Sequence, residues 1–362
     1  MGQFAQTIKF KYALYERRIS SVTLITGFIF DNLTLRRIDQ LFDVLALSFY
    51  VVLSGLCILG LGILDRKRER GEIHEDWHFW LLITLQFAFG GLFSAFFIFY
   101  TRSGAFASSW PFFLALAGLL IGNEIFKARY SILIFRVAIY FFVLFSFAAL
   151  YIPVLLSKMG DNIFILSGLV SLLLIWIFLH LLGRILPETI YRIRRQLMTG
   201  IIGIYAVINL LYFTNIIPPI PLALKEVGVY HTLTKTGNAY IVSEEERPWY
   251  SFLQRRTYHT TLGETAYVVS AVFAPTDLET TIVHEWQYFD ESRGDWRTVS
   301  QVKFDIIGGR VKGYRGYSLK SNITPGKWRV NIETERGQLV GRIKFRVERV
   351  STPPSLETKT FL

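Results

Sequence analysis

Over the first 221 positions apolar residues come in long runs, and beyond them the chain changes to short stretches in which apolar and polar residues alternate. The two textures predict two kinds of structure. A helix needs roughly 20 apolar residues to cross a hydrocarbon core of about 30 Å. Leu41 to Leu64, Trp77 to Tyr100, Ile132 to Leu156, Ile163 to Leu182 and Leu197 to Ile217 meet that length. Ile19 to Leu35 and Ser109 to Ile125 reach it only by admitting a polar residue or running short. Residues 1–221 are therefore expected to form an α-helical membrane bundle of about seven transmembrane helices. Pro218-Pro219-Ile220-Pro221 should end the last one, because proline has no amide proton to give and restricts the residue before it.

In the second region, Lys327-Trp328-Arg329-Val330-Asn331-Ile332-Glu333 places Trp328, Val330 and Ile332 on one face, and Arg342-Ile343-Lys344-Phe345-Arg346-Val347 repeats the pattern. That is the period of half-buried strands, here a hairpin turned at Arg336-Gly337. Further strands are expected at Ala266 to Phe273, Thr280 to Tyr288, Trp296 to Asp305 and Val311 to Leu319, with turns at Ala274-Pro275-Thr276-Asp277, Ser292-Arg293-Gly294-Asp295 and Gly308-Gly309. Short antiparallel strands at this spacing predict an all-β, immunoglobulin-like sandwich domain over residues 263–350. Residues 222–262 are less regular and read as a connector, in which Glu244-Glu245-Glu246 and Pro248-Trp249-Tyr250 would pack on the sandwich or on the membrane surface. Residues 351–362 read as a flexible tail.

Composition agrees with the membrane reading: a chain that is 52% hydrophobic and 16% aromatic is too apolar for an ordinary soluble protein of this length. The formal net charge of +11 lies in loops in the first region and among mixed signs in the second, a distribution that points away from a nucleic-acid partner. The single cysteine, Cys57, sits in an apolar run, so no disulfide framework exists. Alternate segments from the amino end carry Lys9, Lys11, Arg17 and Arg18, then Arg66, Lys67, Arg68 and Arg70, then Lys127 and Arg129, then Arg184, Arg192, Arg194 and Arg195. The intervening loops hold only Arg36, Arg37, Arg102 and Lys158. Basic residues collect on the cytoplasmic side, which predicts a cytoplasmic amino end and an exported carboxyl-terminal domain, periplasmic in a bacterium. Asp31-Asn32-Leu33-Thr34, in place of small residues, follows the first apolar stretch, which is therefore read as uncleaved.

Several segments carry a resemblance. Asn215-Ile216-Ile217-Pro218-Pro219-Ile220-Pro221-Leu222, Ala271-Val272-Phe273-Ala274-Pro275, His284-Glu285-Trp286, Gly308-Gly309-Arg310, Gly313-Tyr314-Arg315 and Gly326-Lys327-Trp328-Arg329-Val330 resemble a bacterial membrane-protein family catalogued as domain of unknown function 2914. Gln86-Phe87-Ala88-Phe89-Gly90-Gly91-Leu92-Phe93-Ser94 and Ile121-Gly122-Asn123-Glu124 are similar to it as well. The resemblance implies a multi-pass Gram-negative inner-membrane protein with a periplasmic carboxyl-terminal domain. It brings no activity and no catalytic residues.

Candidate chemistry is sparse. His74-Glu75-Asp76-Trp77-His78 fits H-E-x-x-H, the zinc-peptidase pattern, which needs two histidines one turn apart on a helix, a third protein ligand and a dry cleft. Glu124 and His180 would end spans on the same face. The loop is too short for the globular fold that surrounds the motif, and acidic residues with Trp77 and His78 also suit an interfacial helix start. Of Asp43, Glu124, Arg136 and His180, only Arg136 lies deep in a span, so no relay of ionisable groups crosses the membrane. Gly55, Gly60 and Gly62, and Gly90, Gly91 and Ser94, mark close helix packing. In the second region His231, His259 and His284, with Glu264, Glu285 and Asp290, fit no ligand pattern, and no nucleophile motif is present. Neither a catalytic residue, a metal site nor a cofactor is indicated.

What the second region offers is a surface. Arg310, Lys312 and Tyr314, with Arg315 beside them, would alternate on one strand, and Lys327 and Arg329 would neighbour Lys344 and Arg346 across the hairpin. Together they would form a basic, aromatic sheet face fitted to an acidic protein in a membrane complex or an anionic envelope glycan. The expected role is a binding or structural module anchored in the lipid bilayer, with a metal-dependent hydrolase at HEDWH or a transporter as the alternatives.

Overall fold

The computed structural model describes residues 25–35, 37–69, 71, 75–103, 106–125, 129–130, 132–237, 239–246 and 256–361. The chain divides into two compact units, one of helices and one built mainly from Thr214–Leu362.

Among the described residues the helices are α1 (residues 25–34), α2 (Leu41–Glu69), α3 (Glu75–Ser103), α4 (Phe106–Ile125), α5 (Leu133–Leu156), α6 (Asp161–Ile185) and α7 (Pro187–Phe213). Among the described residues, α2, α3, α5, α6 and α7 are long and apolar enough to cross a membrane, while the apolar part of α4 is shorter, Ser108–Asn123. The expected first span falls partly outside the described residues, which begin at 25. The last helix begins at Pro187, not at Leu197, and ends at Phe213, not at Ile217. Proline suits a first helical turn and Glu188 beside it offsets the helix dipole, so a polar turn precedes the apolar part. At the other end Asn215 takes φ 58°, a left-handed conformation that stops the helix before the prolines are reached. The small residues do bring helices together. A Cβ on Gly55 of α2 would lie 2.6 Å from the Tyr140 hydroxyl of α5, and one on Gly91 of α3 would lie 3.1 Å from the Tyr50 ring of α2.

The second unit contains β1 (Ala223–Tyr230), β2 (Thr232–Thr236), β3 (Ala239–Glu245), β4 (Arg256–Thr260), β5 (Thr265–Phe273), β6 (Glu279–Asp290), β7 (Asp295–Ile307), β8 (Tyr314–Ser321), β9 (Gly326–Thr334), β10 (Leu339–Arg349) and β11 (Leu356–Phe361). They form a five-stranded sheet in the order β4-β10-β9-β6-β7, a central sheet β1-β5-β8 and an outer sheet β11-β3-β2. Residues 222–262, expected as a connector, thus hold β1 to β4, and the expected tail holds β11. Pairing explains both. Alternation in these stretches is weak because β2 and β11 are exposed on both faces along most of their length, yet β2, β3 and β11 each gain a ladder, Thr358 opposite Ser243 and Leu233 opposite Val242. Residues 247–255, with Pro248 to Tyr250, lie outside the described residues.

Strand β5 runs as an almost unbroken apolar series because it is covered on both faces. Ala266, Val268 and Val272 pack toward the five-stranded sheet against Trp286, Val330, Ile282 and Ile332, whereas Val269 and Ala271 pack toward Val242 and Phe361 of the outer sheet. The hairpin β9-β10 turns at Arg336 and Gly337 as expected, with the Gly337 amide donating to the Thr334 carbonyl at 2.8 Å.

The strand expected at Val311 to Leu319 starts only at Tyr314. Arg310 to Gly313 form a turn closed by the Gly313 amide on the Arg310 carbonyl at 2.9 Å. Gly313 has φ 92°, and a Cβ there would stand 3.0 Å from the Val272 backbone, so only glycine lets the chain cross β5 at this point. Gly308 is tighter still, since its Cβ would fall 1.6 Å from the Pro275 carbonyl oxygen. Gly308→Ala should therefore cost about 1–3 kcal/mol through forced backbone displacement, read as faster hydrogen exchange in β7 and at the Leu278 turn, whose carbonyl accepts the Gly308 amide.

Candidate functional site

The structure divides the expected basic face into two places. Arg310 and Lys312 lie in the turn before β8, with the Arg310 guanidinium 4.8 Å over the Tyr314 ring, and Arg315 follows on β8 of the central sheet. Tyr314 itself packs against the core beside Val272 and Ile306. These residues do not share a sheet with the other four, because the pattern Arg310-Val311-Lys312-Gly313-Tyr314 belongs to a turn. Lys327, Arg329, Lys344 and Arg346, in contrast, come together on the outer face of the five-stranded sheet.

Register brings them there. On β9 and β10, Trp328, Val330, Ile343, Phe345 and Val347 point into the core, which sends the intervening side chains outward. Lys344 stands opposite Arg329 and Arg346 opposite Lys327. Like charges directly opposite one another on a sheet are destabilising; here two such pairs are adjacent. Exposed ion pairs, Lys327 with Glu291 at 3.2 Å and Arg346 with Glu348 at 3.1 Å, offset only a little of that repulsion. Burial and the neighbouring Arg342 draw the Arg329 guanidinium below its ordinary pKa.

The cations meet two aromatic rings from the far side of the sheet. Phe289 of β6 pairs with Trp296 of β7; the Lys327 ammonium lies 5.0 Å over the Phe289 ring and the Arg329 guanidinium 4.3 Å over the Trp296 ring. Trp296, Lys327, Lys344, Arg346 and Arg256 of β4, over Trp328 and Phe345, line a pocket of about 540 Å³.

A polar lattice holds the wall in place. The Glu285 carboxylate accepts from Thr298 at 2.7 Å, from Gln287 at 2.9 Å and from Asn331 at 2.9 Å. Gln287 in turn accepts from the Arg329 Nε, and Asn331 from the Arg342 Nε at 2.6 Å. Glu285 thus fixes the amide that orients the arginine stacked on Trp296. Nearby Glu333 is pushed up to about 7, by burial first and then by the charge of Glu285. Arg256, Phe289, Trp296, Glu285 and Gln287 were not legible as site residues. They come from three strands, β4, β6 and β7, and only the strand order brings them beside β9 and β10.

Two other clusters draw in the histidines. His231, following β1, is buried and lies between Glu264 (Nδ1 to Oε1, 2.8 Å) and Glu245 (Nε2 to Oε1, 3.1 Å). Glu245 also accepts from the His259 ring at 2.7 Å and the His259 amide at 2.6 Å. Burial opposes the charge of His231, but the hydrogen bonds to Glu245 and Glu264 hold its pKa above the ordinary value. Glu245 is burdened by burial yet drawn down to about 2 by His231 and then His259. The structure thus joins His231, His259 and Glu264 through Glu245, and leaves Glu285 and Asp290 elsewhere. His284 is fully buried between sheets, its ring nitrogens 2.7 Å from the Ser270 hydroxyl and 2.9 Å from the Ser318 hydroxyl, while the Trp286 indole donates to Ser318 at 2.8 Å.

In the helical unit, His78 of HEDWH faces Asp65 of α2 at 3.2 Å, and the same carboxylate holds the buried Arg136 of α5 at 2.8 Å. His74 and the side chains of Glu75 and Glu124 lie outside the described residues. His180 is exposed on α6, stacked on Trp176. Asp43 is buried in the first turn of α2 and accepts from the Arg37 amide at 3.3 Å. Among the described residues, no group of three or more His, Cys, Asp or Glu is arranged to hold a metal ion.

Comparison with known proteins adds the domain. Residues 279–347 match the model of the family described as Protein of unknown function (DUF2914). That range runs from β6 into β10 and takes in Trp296 and all four clustered cations, though not Arg256. No curated protein matches the chain. Among solved structures, a β-glucosidase from Listeria innocua in complex with gluconolactone is 12% identical over 34% of this chain and 16% of its own length, with a TM-score of 0.18. The alkylpurine DNA glycosylase AlkC of Pseudomonas fluorescens, bound to DNA containing an abasic site analogue, is 10% identical over 86% of this chain and 99% of its own, with a TM-score of 0.20. The chain therefore spans 16% of the length of the first. Likenesses this low carry no argument.

Proposed function

We propose that this chain, whose residues 279–347 carry the domain of unknown function 2914, is a multi-pass inner-membrane protein that presents a periplasmic β domain to an anionic partner. The domain reads as a sandwich of immunoglobulin-like kind extended by an outer sheet, and the helical unit reads as a bundle of about seven spans with the amino end in the cytoplasm. Five described helices of membrane-crossing length support the anchoring. The distribution of lysine and arginine over the loops supports the orientation. The partner is an acidic protein of a membrane complex or an envelope glycan.

One observation carries the binding role: the two adjacent like-charge pairs Lys344 with Arg329 and Arg346 with Lys327, facing outward beside Trp296. A sheet selected for stability alone gains from opposite charges at such positions, and a bound anion converts the repulsion into attraction. Spheroplasts of bacteria producing the chain should retain a labelled polyanion, polyuronate or polyglutamate, added from outside. Lys327→Glu with Lys344→Glu should abolish that retention. Binding by the chain in nanodiscs without retention by spheroplasts would overturn the orientation; no binding in either would overturn the role.

A further inference from the structure

The cations and aromatic rings form a row that crosses the strands. Arg346 on β10 stands opposite Lys327 on β9; the Lys327 ammonium lies over Phe289 on β6; and Phe289 pairs with Trp296 on β7. From β10 to β7 the row crosses four strands of the five-stranded sheet, roughly 14 Å at the usual spacing between strands. Such a track is longer than a single small anion needs. Its positive end and its aromatic end are distinct, and Arg329 beside Trp296 is held through Gln287 by the lattice around Glu285.

The identity of a linear anion follows from what the track lacks. An extended acidic peptide docks on a sheet by pairing its main chain with an open strand edge. Here the track lies on the face, over backbone groups already paired between β4, β10, β9, β6 and β7. It has side chains to offer and no ladder to extend. Sugar rings present apolar C–H faces that stack on aromatic rings, and acidic sugars carry a carboxylate or ester anion beside that face. The half-buried Trp296 and Phe289 answer the first property, and Lys327, Lys344 and Arg346 the second. Resting on the anion-binding role above, we propose that the outer face of the five-stranded sheet seats a linear anionic polysaccharide, laid across the strands with a sugar ring on Trp296 and its acidic groups along β9 and β10.

The chain in nanodiscs should be titrated calorimetrically with a tetrameric polyuronate, a neutral glucan of equal length, a polyglutamate of equal charge and inorganic phosphate. The polyuronate should bind at least about 10-fold more tightly than each of the others, and added salt should weaken it. Trp296→Ala and Lys344→Gln should each loosen the polyuronate about 10-fold, as expected for a central aromatic or cationic anchor. Trp296→Phe should restore most of the loss. Lys344 is exposed, so its variant reports binding even where Trp296→Ala disturbs folding. Polyglutamate binding as tightly as polyuronate, or polyuronate binding unchanged by both Lys344→Gln and Trp296→Ala, would overturn the glycan seated on this face. Phosphate competing at equal affinity would reduce the track to a simple anion site. Binding by none of the four would remove the anion-binding role itself.

Discussion

Lowering the pH from 7 to 5 should expose β5, β6 and β8 to hydrogen exchange in the chain in nanodiscs, and His284→Gln should remove much of that sensitivity. His284 has no charged neighbour: Ser270, Ser318, Trp286 and the edge of Phe304 surround it. Burial lowers its pKa from 6.5 to about 3. The unfolded chain therefore takes up a proton near pH 6.5 that the folded chain refuses until about 3. The stability this group contributes is complete above 6.5 and drains away as the pH falls, by roughly 3 kcal/mol at pH 4 from linkage. Glu333 works in the opposite sense over part of the same window, because a carboxyl raised from 4.5 to about 7 binds its proton sooner in the folded state. For that reason the informative quantity is the difference between the parent and His284→Gln. Glutamine can still bond both serines and does not titrate. Equal acid sensitivity in the two proteins would show that the buried imidazole does not set it.

Glu245→Gln should destabilise the second unit by about 3 kcal/mol at neutral pH, the scale for breaking a buried ion pair from one side. Its carboxylate gathers three donors, the His231 Nε2, the His259 Nδ1 and the His259 amide, and an amide cannot accept them all. The change falls where sheets meet, since Glu245 ends β3 of the outer sheet, His259 belongs to β4 of the five-stranded sheet, and Glu264 precedes β5 of the central sheet. Peptides from β3 and β4 should exchange faster in the variant, while those from β6 and β7 change less. The pH profile supplies a second check. Glu245 has its pKa lowered from 4.5 to about 2, so its contribution is present above 4.5 and lost as the pH falls toward 2. The penalty of Glu245→Gln should shrink over that interval. His231, whose pKa is raised above 6.5, contributes below 6.5 and loses its part as the pH rises through the raised value. With His284 failing in acid and His231 failing in base, the domain should be most stable near neutrality.

Much of the second unit was legible from alternation alone. The hairpin of β9 and β10, its turn at Arg336-Gly337 and the opposition of Lys327 and Arg329 to Arg346 and Lys344 all follow from a period of two and one tight turn. Alternation failed at Arg310 to Gly313, where a polar turn happened to mimic it and only the positive φ of Gly313 distinguishes the two. It also failed across residues 222–262, because β2 is exposed along most of its length and β3 takes a partner, β11, from far along the chain.

Long apolar runs determined by themselves that helices of membrane-crossing length would form, since hydrocarbon or a buried interior is the one environment that satisfies such runs. The sequence likewise determined that half of β9 and β10 would face outward with positive charge. Tertiary structure decided what stands beside that charge. Strand order set Phe289 with Trp296 at one end of the row, and placed Glu245 between two histidines. Local periodicity fixes which face a side chain takes, but its neighbours on that face depend on which distant strands pair, and no short stretch of chain encodes that choice.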